Sequence, residues 1–157
     1  MITAVDTNLL VDIVINSSRQ ALSRKLLKEA RSQGFLIIAP VVYAELGALL
    51  GEQQKLREFL VASGIQKIEP FGEDALWLAG EAWQIYNKRR PQKMVCPRCG
   101  GQVEAFCPEC QNQILVRQHI LTDFLVGAHA QVYAEQLLSH DRGFIRSYFP
   151  DLRCLPG

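Results

Sequence analysis

No run in this 157-residue chain is both long and apolar enough to span a bilayer. The strongest apolar stretches, Ile2–Val5 and Phe35–Leu50, are short or broken by Pro40, Glu45 and Gly47. The start Met-Ile-Thr-Ala-Val-Asp lacks the basic head and small-residue cleavage site of a secretory signal, so the expected location is cytoplasmic, with no membrane partner. A strong excess of one charge sign is also missing: the formal net charge of +1 argues against a uniformly basic nucleic-acid binder. There is no internal repeat. The length suits one compact domain with a real core and one small insertion, and is too short for two full enzyme domains.

The composition is globular, with 48% hydrophobic and 21% charged residues. Five cysteines would suit disulfides in a secreted protein, but four of them stand in two Cys-x-x-Cys pairs, Cys96/Cys99 and Cys107/Cys110, separated by seven residues. Two residues between cysteines let both sulfurs reach one ion, and four thiolates complete a tetrahedral structural zinc site with no position left for catalysis. Gly100 and Gly101 allow the tight return between the pairs. Cys154 has no matching pair and is expected to pack in the last strand.

The rest of the chain alternates strand and helix. Ile2–Val5 reads as a strand ending at Asp6, and Thr7-Asn8 opens a helix through Ile15. Ser17 or Ser18 is placed to cap a second helix with Leu22, Leu26, Leu27 and Ala30 on one face, ending near Gly34. Phe35–Ala39 reads as a buried strand, Pro40 starts a helix to about Leu50, and Gly51 separates it from a helix over Gln54–Ala62. Ile65–Pro70 is a weaker strand, and Glu73 to Arg90 a mixed apolar helix stopped by Pro91. After the cysteine segment, Thr122 is placed to cap another apolar helix. Gln136–Ser139 follows as a short strand, Asp141–Tyr148 as a helical turn or helix, and Arg153–Leu155 as a final strand. The expected architecture is a three-layer α/β domain with a mostly parallel sheet, formed by residues 1–91 and 118–157, with 92–117 as a zinc-binding insertion.

Four acids stand out against this frame. Asp6 and Asp141 each follow a strand and precede a helix, where open α/β sheets place their ligand crevice, and Glu45 and Asp123 interrupt strongly apolar helices. Taken singly, Asp6 and Asp141 could be caps, and Glu45 or Asp123 could face water. Brought together, they would repel one another and recruit a hard divalent cation, magnesium or manganese, able to polarise a phosphodiester and activate water. A phosphoaspartyl enzyme is disfavoured because Asp6-Thr7-Asn8 lacks a paired Asp-x-Asp.

The ordered blocks Ala-Val-Asp-Thr-Asn-Leu-Leu, Val-Val-Tyr-Ala-Glu-Leu, Leu-Thr-Asp-Phe-Leu-Val-Gly-Ala-His-Ala and Leu-Leu-Ser-His-Asp-Arg-Gly-Phe resemble the PIN-domain family, especially the toxin nucleases of VapBC toxin–antitoxin pairs. The ending Tyr-Phe-Pro-Asp-Leu-Arg-Cys-Leu-Pro is similar too. The resemblance spans almost everything outside the cysteine segment. It implies that Asp6, Glu45, Asp123 and Asp141 form an acidic metal site, with Thr7, Asn8 and Ser139 in supporting positions. It further implies magnesium- or manganese-dependent cleavage of RNA, often by a homodimer, with an antitoxin protein as a partner in the VapBC group. The cysteine insertion departs from the family pattern. The rival reading is a catalytically inactive, zinc-dependent RNA- or protein-binding module.

Charge is segregated: between Lys88 and Arg117 six Lys/Arg face two Asp/Glu. Lys88, Arg89, Arg90, Lys93, Arg98 and Arg117 could steer RNA phosphates, and Phe106 could stack on an exposed base. Four zinc-bound thiolates would offset much of that charge, so a solvated helix end beside a structural zinc is the favoured reading. His119, His129 and His140 show no ligand spacing with the cysteines and are expected to pack or hydrogen-bond, and Trp77 and Trp83 are expected in the core.

Overall fold

In this computed structural model, residues 1–89, 93–95, 102–113 and 119–156 are described. The elements run β1 (Ile2–Val5), α1 (Thr7–Val14), α2 (Gln20–Gln33), β2 (Phe35–Ile38), α3 (Pro40–Leu50), α4 (Gln53–Ser63) and β3 (Ile65–Ile68). They continue with α5 (Glu73–Arg89), β4 (Met94–Val95), β5 (Gln102–Val103), α6 (Leu121–Tyr133), β6 (Gln136–Leu138), α7 (Arg142–Tyr148) and β7 (Cys154–Leu155). The expected strand–helix alternation is therefore present, with boundaries shifted by a residue or two.

Five strands form one sheet in the order β3-β2-β1-β6-β7, every pairing parallel. Helical crossovers cover parallel sheets on both faces, which is why β1, β2 and β6 are nearly continuous apolar runs. Ala4, Val5, Leu36, Ile37, Ile38, Leu137 and Leu138 are all buried. From β1 the chain builds outward through β2 and β3 on one side, and later returns to lay β6 and β7 on the other. The crevice at the carboxyl ends of β1 and β6 is thus a topological switch point. The two strands are pinned together by a buried polar pair, Gln136 Nε2 donating to Thr3 Oγ1 at 2.9 Å.

The layer formed by α5, α6 and α7 centres on Phe124, fully buried between Trp83 (ring centroids 5.1 Å), Tyr86 (5.4 Å), Phe144 (4.8 Å) and Tyr148 (5.3 Å). Burying a ring of this size stabilises by roughly 1.5–3 kcal/mol, and here it also fixes the start of α6 against α7. Gly127 in α6 lets Phe149 approach: a Cβ there would lie 2.3 Å from the Phe149 ring. Gly51 ends α3 in the left-handed region at φ 72°, which explains the break between α3 and α4.

Some local expectations fail. Helix α2 starts at Gln20 with Arg19 at its N-cap and no side-chain cap; the Ser17 hydroxyl instead bonds Asp12 Oδ1 at 2.6 Å. Leu22 stands exposed rather than on the buried face. Thr122 does not cap α6, because the helix begins one residue earlier, at Leu121. Trp77 is 71% exposed, whereas Trp83 packs with the core as expected. Trp77 lies two residues from both Ala75 and Ala79, on the side of the helix opposite the buried stripe of Ala75, Ala79, Ala82 and Tyr86, and so points away from the core.

The segment between α5 and α6 forms its own two-stranded antiparallel sheet, Met94 opposite Val103 and Val95 opposite Gln102. A bridge between Phe106 and Gln113 closes a second turn around Cys107 and Cys110. Cys96 and Cys99 lie outside the described residues, as do Arg90, Arg98 and Arg117. Among the described residues no helix is long and apolar enough to cross a membrane.

Candidate active site

The carboxyl ends of β1 and β6 and the first turns of α1 and α6 bring together what the sequence scatters. Asp6, Thr7, Asn8, Glu45, Thr122, Asp123 and Asp141 line one cleft of about 250 Å³, walled on its apolar side by Val11, Val126, Phe144 and Ile145. All four acids singled out in the sequence thus face the same space, and none of the described lining residues is Lys or Arg.

Asp6 occupies the N-cap position of α1 without making the side-chain cap bond. Its Oδ2 accepts instead from Asn8 Nδ2 at 2.7 Å and Ser139 Oγ at 2.6 Å, so the cap alternative is excluded for this residue. Asp6 is only partly buried by surface area, because one side looks into the cleft, but protein crowds its other sides. That burial pushes its carboxyl from an ordinary 3.8 to about 6; the Ser139 hydroxyl and the Thr7 N–H oppose the rise, and the Asp123 and Glu45 charges add to it. Glu45, on α3, accepts a hydrogen bond from the Thr7 hydroxyl.

Asp123 and Asp141 sit at the lip. Asp123 lies at the third position of α6, where its Oδ2 accepts from the Ile120 N–H at 2.8 Å. Asp141 caps α7 through Oδ1, which accepts from the Phe144 N–H at 3.2 Å. Each is therefore partly committed to a helix N-terminus. Their side chains remain 41% and 48% exposed, which leaves them accessible to a ligand. The acids line the walls rather than closing into a knot: among the described residues no three His, Cys, Asp or Glu groups are set to hold a metal ion directly.

The supporting trio behaves as a unit. Ser139, fully buried at the end of β6, donates to Asp6 and accepts from Asn8 Nδ2 (3.1 Å) and the Asp141 N–H (3.1 Å). Asn8 is held in turn by the His140 N–H, which donates to its Oδ1 at 3.1 Å. Behind it, the His140 ring Nε2 meets Asp12 Oδ2 at 2.9 Å and Ser23 Oγ at 3.2 Å. Burial raises the Asp12 carboxyl, but hydrogen bonds from Ser17 and Ser23 and the His140 ring outweigh it, so it lies below the ordinary range. Asp12 and Ser23 approach the same ring nitrogen, so this is a buttress and not a nucleophile–base–acid relay. The Asp12–Ser23–His140 chain was invisible in the sequence.

His129 is buried, its Nε2 on the Glu69 carbonyl at 2.8 Å, in keeping with packing. His119 packs as well, its ring against Phe144 and Tyr86, and it also reaches the site. Its Nδ1 lies 3.7 Å from both Asp123 Oδ2 and Asp141 Oδ2, at the edge of the cleft.

The PIN-domain family model matches residues 3–150 of this sequence. The chain belongs to the PIN-domain family. PIN domains are typically metal-dependent nucleases. Among solved structures, the fold is similar to VapBC2 from Rickettsia felis bound to a DNA fragment from their promoter, at 17% identity and TM-score 0.59, over 98% of this chain and 97% of that one. It is also similar to VapBC-1 from nontypeable Haemophilus influenzae, at 21% identity and TM-score 0.60, over 98% and 96%. At these identities the likeness shows the fold. No curated protein matches the sequence significantly.

Proposed function

We propose that this PIN domain is a ribonuclease that hydrolyses RNA phosphodiester bonds with Mg²⁺ or Mn²⁺, held by Asp6, Glu45, Asp123 and Asp141. One observation carries the reading: four carboxylates from four separate elements line a single cleft with no Lys or Arg among its described lining residues. A donor set of hard oxygens, one of them an acid pushed up to about 6 by burial and by its acidic neighbours, fits a hard divalent cation. Mg²⁺ keeps several of its waters and is commonly held by one or two carboxylates, so the four acids would not all have to contact such an ion directly. When bound, such an ion polarises the phosphodiester, lowers the pKa of water and stabilises the charge that develops at phosphorus. Asp6 and Glu45 supply charge at depth, Ser139 and Asn8 orient Asp6, Thr7 orients Glu45, and the lip acids remain reachable from solvent.

The rival reading, an inactive RNA- or protein-binding module, draws on the cap bonds of Asp123 and Asp141. Cleavage of a diverse RNA pool with Mg²⁺ or Mn²⁺ decides between them. The native protein should cut, and Asp6→Asn should fold normally but lose more than about a hundredfold in rate, since even loss of an outer-shell partner typically costs 10–100-fold. No turnover by native protein under any divalent ion sinks the nuclease reading. The VapBC complexes of similar fold support an antitoxin-type protein partner as part of the same reading.

Residues 92–117 are proposed as a zinc-binding insertion within a domain formed by 1–91 and 118–157. Cys107 and Cys110 carry free thiols, and the backbone N–H groups of Cys110 and Glu109 hold the Cys107 thiol below its ordinary range, which favours the thiolate a metal needs. Zinc content near one per chain, lost in Cys107→Ser together with protease resistance of this segment, is the expected result. Zinc-free protein with four reactive thiols and an ordered segment would remove the assignment.

A further inference from the structure

His119 is the first described residue after the cysteine segment, two residues before the start of α6. Its backbone N–H donates to the Tyr86 hydroxyl at 3.3 Å. Its ring lies over Phe144 with centroids 4.4 Å apart and planes at 31°, and edge-on to Tyr86 at 5.8 Å and 79°. Packing on two aromatic rings from two elements leaves the imidazole little freedom, and its side chain is only 22% exposed. The Nδ1 edge that remains is equidistant, at 3.7 Å, from one oxygen of each lip acid.

The two lip acids need such a partner. Asp6 and Glu45 are each oriented by side-chain donors. Among the described residues, Asp123 and Asp141 each have one backbone N–H donor, and their side chains are nearly half exposed. Two like charges facing one cleft repel, and exposed carboxylates gain rotamer freedom and hydration by turning outward. A polar ring edge fixed 3.7 Å from one oxygen of each stands where it would offset that tendency.

We propose that His119 is a positioning residue of the acidic site, holding Asp123 and Asp141 toward each other across the cleft mouth so that they are preorganised for the divalent cation. This rests on the proposed metal-dependent reading of the same cleft. His119 does not bind the cation itself; it acts through the two carboxylates, as outer-shell partners of metal ligands do.

Mn²⁺ titration monitored by the EPR signal of the free ion tests this on the full-length chain, with His119→Leu and His119→Asn measured beside native protein and Asp6→Asn. Leucine fills the space between Tyr86 and Phe144 without a polar edge. Asparagine places a polar group close to where Nδ1 stands. The expected result is a Mn²⁺ dissociation constant raised roughly tenfold in His119→Leu and largely restored in His119→Asn, a pattern that loss of packing alone would not produce. In RNA cleavage, His119→Leu should need more Mn²⁺ for half-maximal rate while approaching the native rate at saturation. Native affinity in both variants, tighter binding in His119→Leu, or equal weakening in both would overturn the positioning role while leaving the metal site standing. Native protein that binds Mn²⁺ no better than Asp6→Asn would instead remove the metal-site reading, and this inference with it.

Discussion

The inner wall of the cleft and its lip hold the same chemical group by opposite means. At the wall, Asp6 is crowded by protein, anchored by Asn8 and Ser139, and its carboxyl is raised to about 6. At the lip, Asp123 and Asp141 are open to water and tied mainly to the first turns of their own helices. Burial makes the wall acid costly to ionise without a cation, whereas the lip acids keep their contact with water. On the proposed metal-dependent reading, a divalent ion would relieve the cost that burial places on Asp6.

The largest expected effect separating the two is on stability against pH. Since folding raises the affinity of Asp6 for its proton, the folded chain binds more protons than the unfolded chain between about pH 4 and about pH 6. In EDTA, the contribution of Asp6 is most favourable below this window and is lost as pH rises through it, by up to roughly 3 kcal/mol. Urea unfolding of native protein and Asp6→Asn should show the decline only in the native chain, and saturating Mn²⁺ should abolish it. Parallel profiles for the two proteins would erase the contrast between wall and lip.

Removing a wall support should act next most strongly. Ser139→Ala deletes the donor to Asp6 and the acceptor for the Asp141 N–H, so ionising Asp6 becomes harder still. Mn²⁺ affinity measured by calorimetry should fall about tenfold or more, in the range seen for outer-shell partners. Unchanged affinity would mean that Asn8 alone orients the carboxylate.

The smallest effect belongs to the lip. Asp141→Ala removes the cap of α7 and should cost about 1 kcal/mol in unfolding free energy, while Asp141→Asn, which keeps a capping oxygen, should stay within a few tenths of native stability. Both should weaken Mn²⁺ binding, because both remove the charge. If Asp141→Asn binds Mn²⁺ as native protein does, Asp141 is a cap and nothing more.

The parallel sheet and its helices were legible because the apolar runs, the prolines and glycines at their ends and the alternation of periods are local signals, and they agree with the observed order from β1 to β7. The positions of the four acids were legible for the same reason: each interrupts or ends an apolar element. Capping was read less well. Thr122 and the Ser17–Ser18 pair have the right chemistry, but the chain places Ile120 and Arg19 at those N-caps, since the packing of Phe124 and the pull of Asp12 on Ser17 decide where the helices begin.

By itself the sequence determined the strand–helix grammar and the positions of the acids along it, which depend on neighbours a few residues apart. Only the tertiary structure decided which side chains share one cleft. Asp6 meets Ser139 across 133 residues, Asn8 receives the His140 N–H across 132, and Ser23 reaches the His140 ring across 117. His119 likewise comes to lie between Asp123 and Asp141 only when α6 and α7 dock around Phe124. Such contacts are set by the order in which parallel strands are laid down at the switch point, and no local propensity encodes that order.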